Sequence, residues 1–136
     1  MTKHELCAVA MTARDTAYAP YSACRVGAAL LASDGTVYTG CNVENASCGA
    51  TICAERTALV KAVSDGARRF TMLAVAGSCT DHIDGGFPPC GVCRQMLSEF
   101  CTADTVVLVV TGEDTFDEYR FGELFPAAFD SNNLKS

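Results

Sequence analysis

The chain has 136 residues, 49% of them hydrophobic and 19% charged, with a formal net charge of -6 and only ten Lys and Arg. An apolar content this high, with no Gly/Ser/Pro-rich tract or charge block, excludes a disordered chain, and so few cations exclude a basic groove for nucleic acid. The longest apolar runs, such as V-V-L-V-V at Val106–Val110, are far too short for a membrane span.

Taken in chain order, Thr2 and Glu5 form a capping-box pattern, and Leu6, Val9, Ala10, Ala13 and Ala17 recur at helical spacing, which predicts an amphipathic helix ending before Pro20. R-V-G-A-A-L-L-A, S-D-G and T-V-Y-T-G read as two strands joined by a tight turn at Asp34-Gly35. From Cys53 to Val63 the residues Ala54, Ala58, Leu59, Ala62 and Val63 lie in helical register, with Asp65-Gly66 as a stop signal. Thr71–Ala76 reads as a buried strand, Gly77–Pro89 as a loop, Cys90–Cys101 as a helix and Thr105–Val110 as another core strand. F-G-E-L-F-P-A-A-F holds a short final helix before the C-terminal tail. This order implies a mixed sheet with helices on its faces, so the fold class is α/β. A chain of this length suits one domain, residues 1–136. T-K-H-E-L-C lacks a signal-peptide core, so the expected location is the cytoplasm, away from any membrane.

Nine cysteines are present, an odd number, and in a reducing compartment metal binding is a better reading of paired cysteines than a disulfide framework. Cys90 and Cys93, in P-P-C-G-V-C-R-Q, have the C-x-x-C spacing that lets two thiolates reach one Zn2+. Cys53, at the predicted start of a helix whose dipole favours thiolate, supplies a third ligand. Three protein ligands leave the fourth tetrahedral position to water, the arrangement of a catalytic zinc. Glu55 stands two residues after Cys53, close enough to exchange a proton with that water without binding the metal.

Three thiolates on Zn2+ leave a net charge of about -1, which weakens the Lewis acid and raises the pKa of its water. Arg56, on the same side of the helix turn as Cys53, is placed to offset that charge by hydrogen bonding to sulfur. Taken alone, Cys53 reads as a buried thiol and Glu55-Arg56 as a solvated first turn; joined to P-C-G-V-C, the catalytic reading prevails. A structural zinc would draw a fourth ligand from Cys48, Cys101 or His82, of which His82 in T-D-H-I-D reads as exposed. Cys7, Cys41, Cys79 and Cys101 read as small buried hydrophobes.

The C-A-E segment followed by P-C-G-V-C is the pattern of zinc deaminases. With A-Y-A-P-Y-S, R-V-G-A-A-L-L, G-C-N-V-E-N-A, C-A-E-R-T-A, P-C-G-V-C-R-Q and E-L-F-P-A-A-F in order, the chain resembles the small cytidine deaminases of pyrimidine salvage over nearly its whole length. The resemblance implies a three-layer α/β/α sandwich with a five-stranded mixed sheet and zinc held by Cys53, Cys90 and Cys93. It implies attack of zinc-bound hydroxide at C4 of cytidine or deoxycytidine, with Glu55 shuttling protons and uridine or deoxyuridine and ammonia as products. It further implies that Asn42 and Glu44 bind the ribose hydroxyls, that the backbone at Ala54 and Cys90 touches the base, and that Phe129 enters the active site of a neighbouring subunit in a homotetramer.

Two positions depart from the pattern. Cys24 and Cys48 stand where the family usually carries a phenylalanine and a tyrosine, and the loss of both aromatics implies a roomier pocket and a wider range of base-modified cytidines. Among other functions, deaminases of antibiotic nucleosides share the chemistry, but the ribose pair Asn42/Glu44 argues against a distant substrate. A zinc-stabilised binding module is the reading from another class, and it has no use for Glu55 beside an open metal position.

Overall fold

The computed structural model describes residues 1–134. Its first helix, α1 (Lys3–Arg14), begins where the capping pattern places it, with Thr2 Oγ1 accepting from the Glu5 N–H at 3.1 Å. β1 (Arg25–Ala32) and β2 (Val37–Cys41) form the hairpin, with Gly35 at φ +94° in the turn, a conformation that costs glycine nothing. α2 (Ala54–Ser64) stops at Asp65 and Gly66, and Gly66 takes φ +101°. β3 (Phe70–Ser78), α3 (Gly91–Ser98), β4 (Val106–Val110), β5 (Phe116–Arg120) and α4 (Phe121–Leu124) complete the order, with 3-10 turns at Cys48–Ala50 and Ser131–Leu134.

The five strands lie in the order β2-β1-β3-β4-β5. β3 and β4 pair in parallel, joined through α3, and the other pairs are antiparallel. Alternate residues along each strand serve opposite faces. Ala29, Ala74, Ala76, Leu108 and Val110 meet Leu6, Cys7 and Ala10 of α1 on one side. Ala28, Leu30, Leu73, Val75, Val107 and Val109 meet Ala54, Ala58, Leu59, Ala62 and Leu97 of α2 and α3 on the other. The result is the expected α/β sandwich.

The element that the residue pattern does not reveal is β5. Asp117, Glu118 and Arg120 are exposed on it, so this edge strand shows no clean alternation of apolar and polar residues. A second difference concerns the cysteines. Cys7 is buried as expected and Cys41 and Cys101 are half-buried, but Cys79 is exposed and forms a disulfide with Cys24. The reason is register: Arg25 pairs with Ser78 at the end of the antiparallel β1/β3 ladder, and one step further out Cys24 lies opposite Cys79.

Chain direction gathers the site at one end of the sheet. β2 and β3 finish there and β1 starts there, so the residues that follow Cys41, follow Ser78 and precede Arg25 converge. The crevice outside the ends of the strands is where open α/β sheets bind ligands.

Candidate metal centre

Cys53 is the N-cap residue of α2 and Cys90 that of α3, with Cys93 in the first turn of α3. Neither cap uses a side-chain hydrogen bond, which leaves the sulfurs free to face one another. The Cys53 and Cys90 Sγ atoms are 3.7 Å apart, those of Cys90 and Cys93 3.4 Å, and all three lie within 4.8 Å. A tetrahedral zinc with bonds of about 2.3 Å sets sulfurs about 3.8 Å apart, so both the donor set and its spacing fit Zn2+. Among the described residues this is the one cluster of three such donors. Cys48, Cys101 and His82, the alternatives for a fourth protein ligand, lie outside it, and His82 is exposed as expected.

The electrostatics agree with the donor chemistry. The neighbouring Cys93 thiol pulls the pKa of Cys53 down to about 5, aided by Arg56 and Cys90 against the cost of burial. Cys93 moves the opposite way, held protonated by the same contact with Cys53 and by its burial. Arg56 Nη2 approaches Cys53 Sγ at 3.9 Å and donates to the Thr51 carbonyl at 3.0 Å, so it reaches the sulfur predicted for it.

Glu55, on the first turn of α2, is only 4% exposed. Burial pushes its carboxyl up to about 7, with the adjacent Cys53 adding to the rise and Arg56 opposing it. It lines, together with Val26, Asn42, Ile52, Ala54, Phe87 and Cys90, a cavity of about 190 Å³. A carboxylic acid near its midpoint at neutral pH, beside three thiols and a small cavity, is equipped to accept and return protons.

Asn42 and Glu44 follow β2 on an extended segment whose Val43 bridges to both Tyr18 and Ile52, so the two side chains share one side. Asn42 is buried and flanks the cavity. Its Oδ1 accepts from Val26 N at 2.8 Å and its Nδ2 donates to the Cys24 carbonyl at 2.9 Å. Glu44 lines an adjoining cavity with Tyr21, Ser22 and Cys48, where the Ser22 hydroxyl, first among its partners, holds its carboxyl below the usual carboxylate range. Phe129 does not line the cavity of its own chain: it is 57% exposed, and its carbonyl accepts from Gln95 Nε2 at 3.0 Å.

A family model described as "Cytidine and deoxycytidylate deaminase zinc-binding region" matches residues 1–109. The chain belongs to the cytidine deaminase family. The cytidine deaminase of Sporosarcina psychrophila is 46% identical over 134 residues, covering 98% of this chain and 96% of that one. A solved cytidine deaminase from Burkholderia pseudomallei is 45% identical, with a TM-score of 0.86 over 95% of this chain and all of that one. The cytidine deaminase of Mycobacterium tuberculosis superposes with a TM-score of 0.80 at 36% identity, over 96% of this chain and 98% of that one. Membership of this family is consistent with the fit of the three sulfurs to Zn2+.

Sequence reasoning missed three residues here. Phe87 lines the cavity with its ring packed over Gly77, so aromatic surface comes from the loop ahead of P-P-C and not from position 24. Ser22 fixes Glu44 from 22 positions away, and nothing in the sequence links A-P-Y-S to the N-x-E segment. Cys79 left no signal, because no spacing rule links it to Cys24.

Proposed function

We propose that this zinc hydrolase of the cytidine deaminase family converts free cytidine and deoxycytidine to uridine and deoxyuridine plus ammonia. The observation that carries the reading is a buried Glu55 opening onto a small cavity beside three clustered thiols. Cys53, Cys90 and Cys93 would hold the ion. Bound Zn2+ supplies Lewis acidity, lowering the pKa of a coordinated water. Glu55, buried on the cavity wall, would act as the proton carrier: it would protonate N3 of the pyrimidine, then move the proton of the oxygen added at C4 to the amino group that leaves as ammonia. The backbone at Ala54 and Cys90, both on the cavity wall, contacts the base.

Asn42 and Glu44 recognise the ribose. Each keeps a free hydrogen-bonding position after its contacts to the backbone, and an amide with a carboxylate can pair with a diol. A nucleotide fits poorly, since neither cavity is lined by Lys or Arg and the Glu44 carboxylate would repel a phosphate. The exposed ring of Phe129 is free to stack on a base held by a neighbouring subunit, in keeping with a homotetramer that shares its sites. We read the chain as a single domain, 1–136, acting in the cytoplasm.

A substrate panel tests the reading. Cytidine and deoxycytidine are expected to be consumed, while cytidine monophosphate and a cytosine-containing single-stranded oligonucleotide are not. Turnover of the oligonucleotide at a rate comparable to cytidine would contradict it. Arg56→Ala is expected to lower kcat or zinc occupancy by about tenfold, since a charge-assisted hydrogen bond to sulfur contributes about 1.5 kcal/mol. Unchanged activity and zinc content in that variant would rule out the role given to Arg56.

A further inference from the structure

The segment from Tyr21 to Val26 holds both ribose-recognising residues. The N–H groups of Tyr21 and Ser22 donate to Glu44 Oε1 at 3.0 and 3.1 Å, and the Ser22 hydroxyl donates to Oε2 at 2.5 Å. Ser22 Oγ in turn accepts from Cys24 N at 3.0 Å. Asn42 is gripped on either side of Arg25, by the Cys24 carbonyl and the Val26 N–H. Four residues of one short segment therefore set the direction of both side chains.

That segment is weakly held by itself. Tyr21, Ser22 and Ala23 are exposed, and Ala23 takes φ +60°, a left-handed conformation that is strained for a non-glycine residue. The β1/β3 ladder ends at Arg25, and beyond it the covalent tie is the Cys24–Cys79 disulfide. The other end of the tie is firmly anchored. Ser78 and Thr80, on either side of Cys79, are both bound by the buried Arg14 of α1, whose Nη2 donates to Ser78 Oγ at 2.6 Å and to the Thr80 carbonyl.

We propose that the Cys24–Cys79 disulfide is a thiol-responsive staple that positions Asn42 and Glu44, so that the enzyme binds nucleoside more tightly when the bond is closed. Cys79 is exposed and Cys24 half-buried, so Cys79 is the more accessible half of the bond. A thiol such as glutathione attacks it as thiolate, the S–S bond breaks, and Cys24 leaves as a thiolate that takes up a proton. A second thiol attacks the mixed disulfide and releases Cys79. Two protein thiols are gained and the two reductant molecules are oxidised to one disulfide. Intracellular disulfides of this reversible kind serve redox sensing. With the bond open, the strained segment is free to leave the conformation that aims Asn42 and Glu44, and binding must restore that order at a cost in affinity.

The inference rests on the ribose reading of Asn42 and Glu44, and the test separates the two. Zinc-loaded enzyme is equilibrated with oxidised or reduced glutathione, its thiols are alkylated after denaturation, and KM and kcat for cytidine are measured in each state. Seven alkylated cysteines are expected in the oxidised form and all nine in the reduced form. KM is expected to rise about fivefold on reduction, with kcat changed by less than about twofold. Cys24→Ser/Cys79→Ser is expected to show the higher KM in either buffer, which also controls for any effect of glutathione on the zinc thiols. Nine alkylated cysteines in the oxidised form, or equal KM in both states while Asn42→Ala raises KM, would overturn the staple alone. An unchanged KM in Asn42→Ala would overturn the ribose reading and the staple with it.

Discussion

Glu55→Gln is expected to lower kcat for cytidine by about a thousandfold, the scale on which a positioned proton carrier contributes, while zinc occupancy stays at the wild-type level. Glutamine keeps the size and the hydrogen-bonding reach of the side chain but cannot take up and return a proton. Zinc should remain because Glu55 is not among the three sulfur donors, whose atoms lie within 4.8 Å of one another. Stability should not suffer either. Glu55 is 4% exposed, and enclosing an ionisable carboxyl is unfavourable in a way that a neutral amide avoids, so the melting temperature is expected to hold or rise. Three measurements on one sample thus separate catalysis from architecture. Wild-type turnover in the variant, or loss of its zinc, would show that Glu55 serves the metal or the fold and not the proton transfers.

Gly40→Ala is expected to cost about 3 kcal/mol and about 10 °C in melting temperature, and to reduce zinc retention as well. Gly40 lies on β2 opposite Ala28, directly beneath α2. A methyl group there would sit 2.5 Å from the Ala58 nitrogen and 2.6 Å from the Ala54 carbonyl oxygen. Both atoms are helix backbone, so no side-chain rotation relieves the clash and α2 must move away from the sheet. The first turn of α2 bears Glu55 and Arg56 and its cap is Cys53, so a displacement that a purely structural helix would absorb also misplaces one of the three sulfurs. Gly85→Ala is the control, since nothing lies within 4 Å of its added carbon. Thermal melts and zinc content of the two variants check the prediction, and a Gly40→Ala protein with wild-type values in both would contradict the packing described for α2.

What the chain disclosed before folding and what it withheld have physical causes. The helices announced themselves through caps and stop signals: Thr2 with Glu5, and Asp65-Gly66. The central strands did so through unbroken apolar runs. The metal centre was legible because thiol, carboxylate and C-x-x-C spacing are chemically restrictive, and the structure brings Cys53, Cys90 and Cys93 together with Glu55 beside them. β5 was hidden because an exposed edge strand has no reason to alternate. The Cys24–Cys79 bond was hidden because its partners are 55 positions apart and meet only through the β1/β3 register. Position 24, which read as a missing aromatic, instead ties down the segment that directs Asn42 and Glu44. The aromatic surface of the cavity is supplied by Phe87.

The most direct test of the central claim is a titration of Zn2+ into metal-free protein with cytidine conversion followed by absorbance. Turnover is expected to be absent at the start, to rise in proportion to added zinc, and to level off at one ion per chain, with one ammonia released per uridine formed. Full zinc binding without conversion of cytidine, or conversion that does not depend on zinc, would contradict the account.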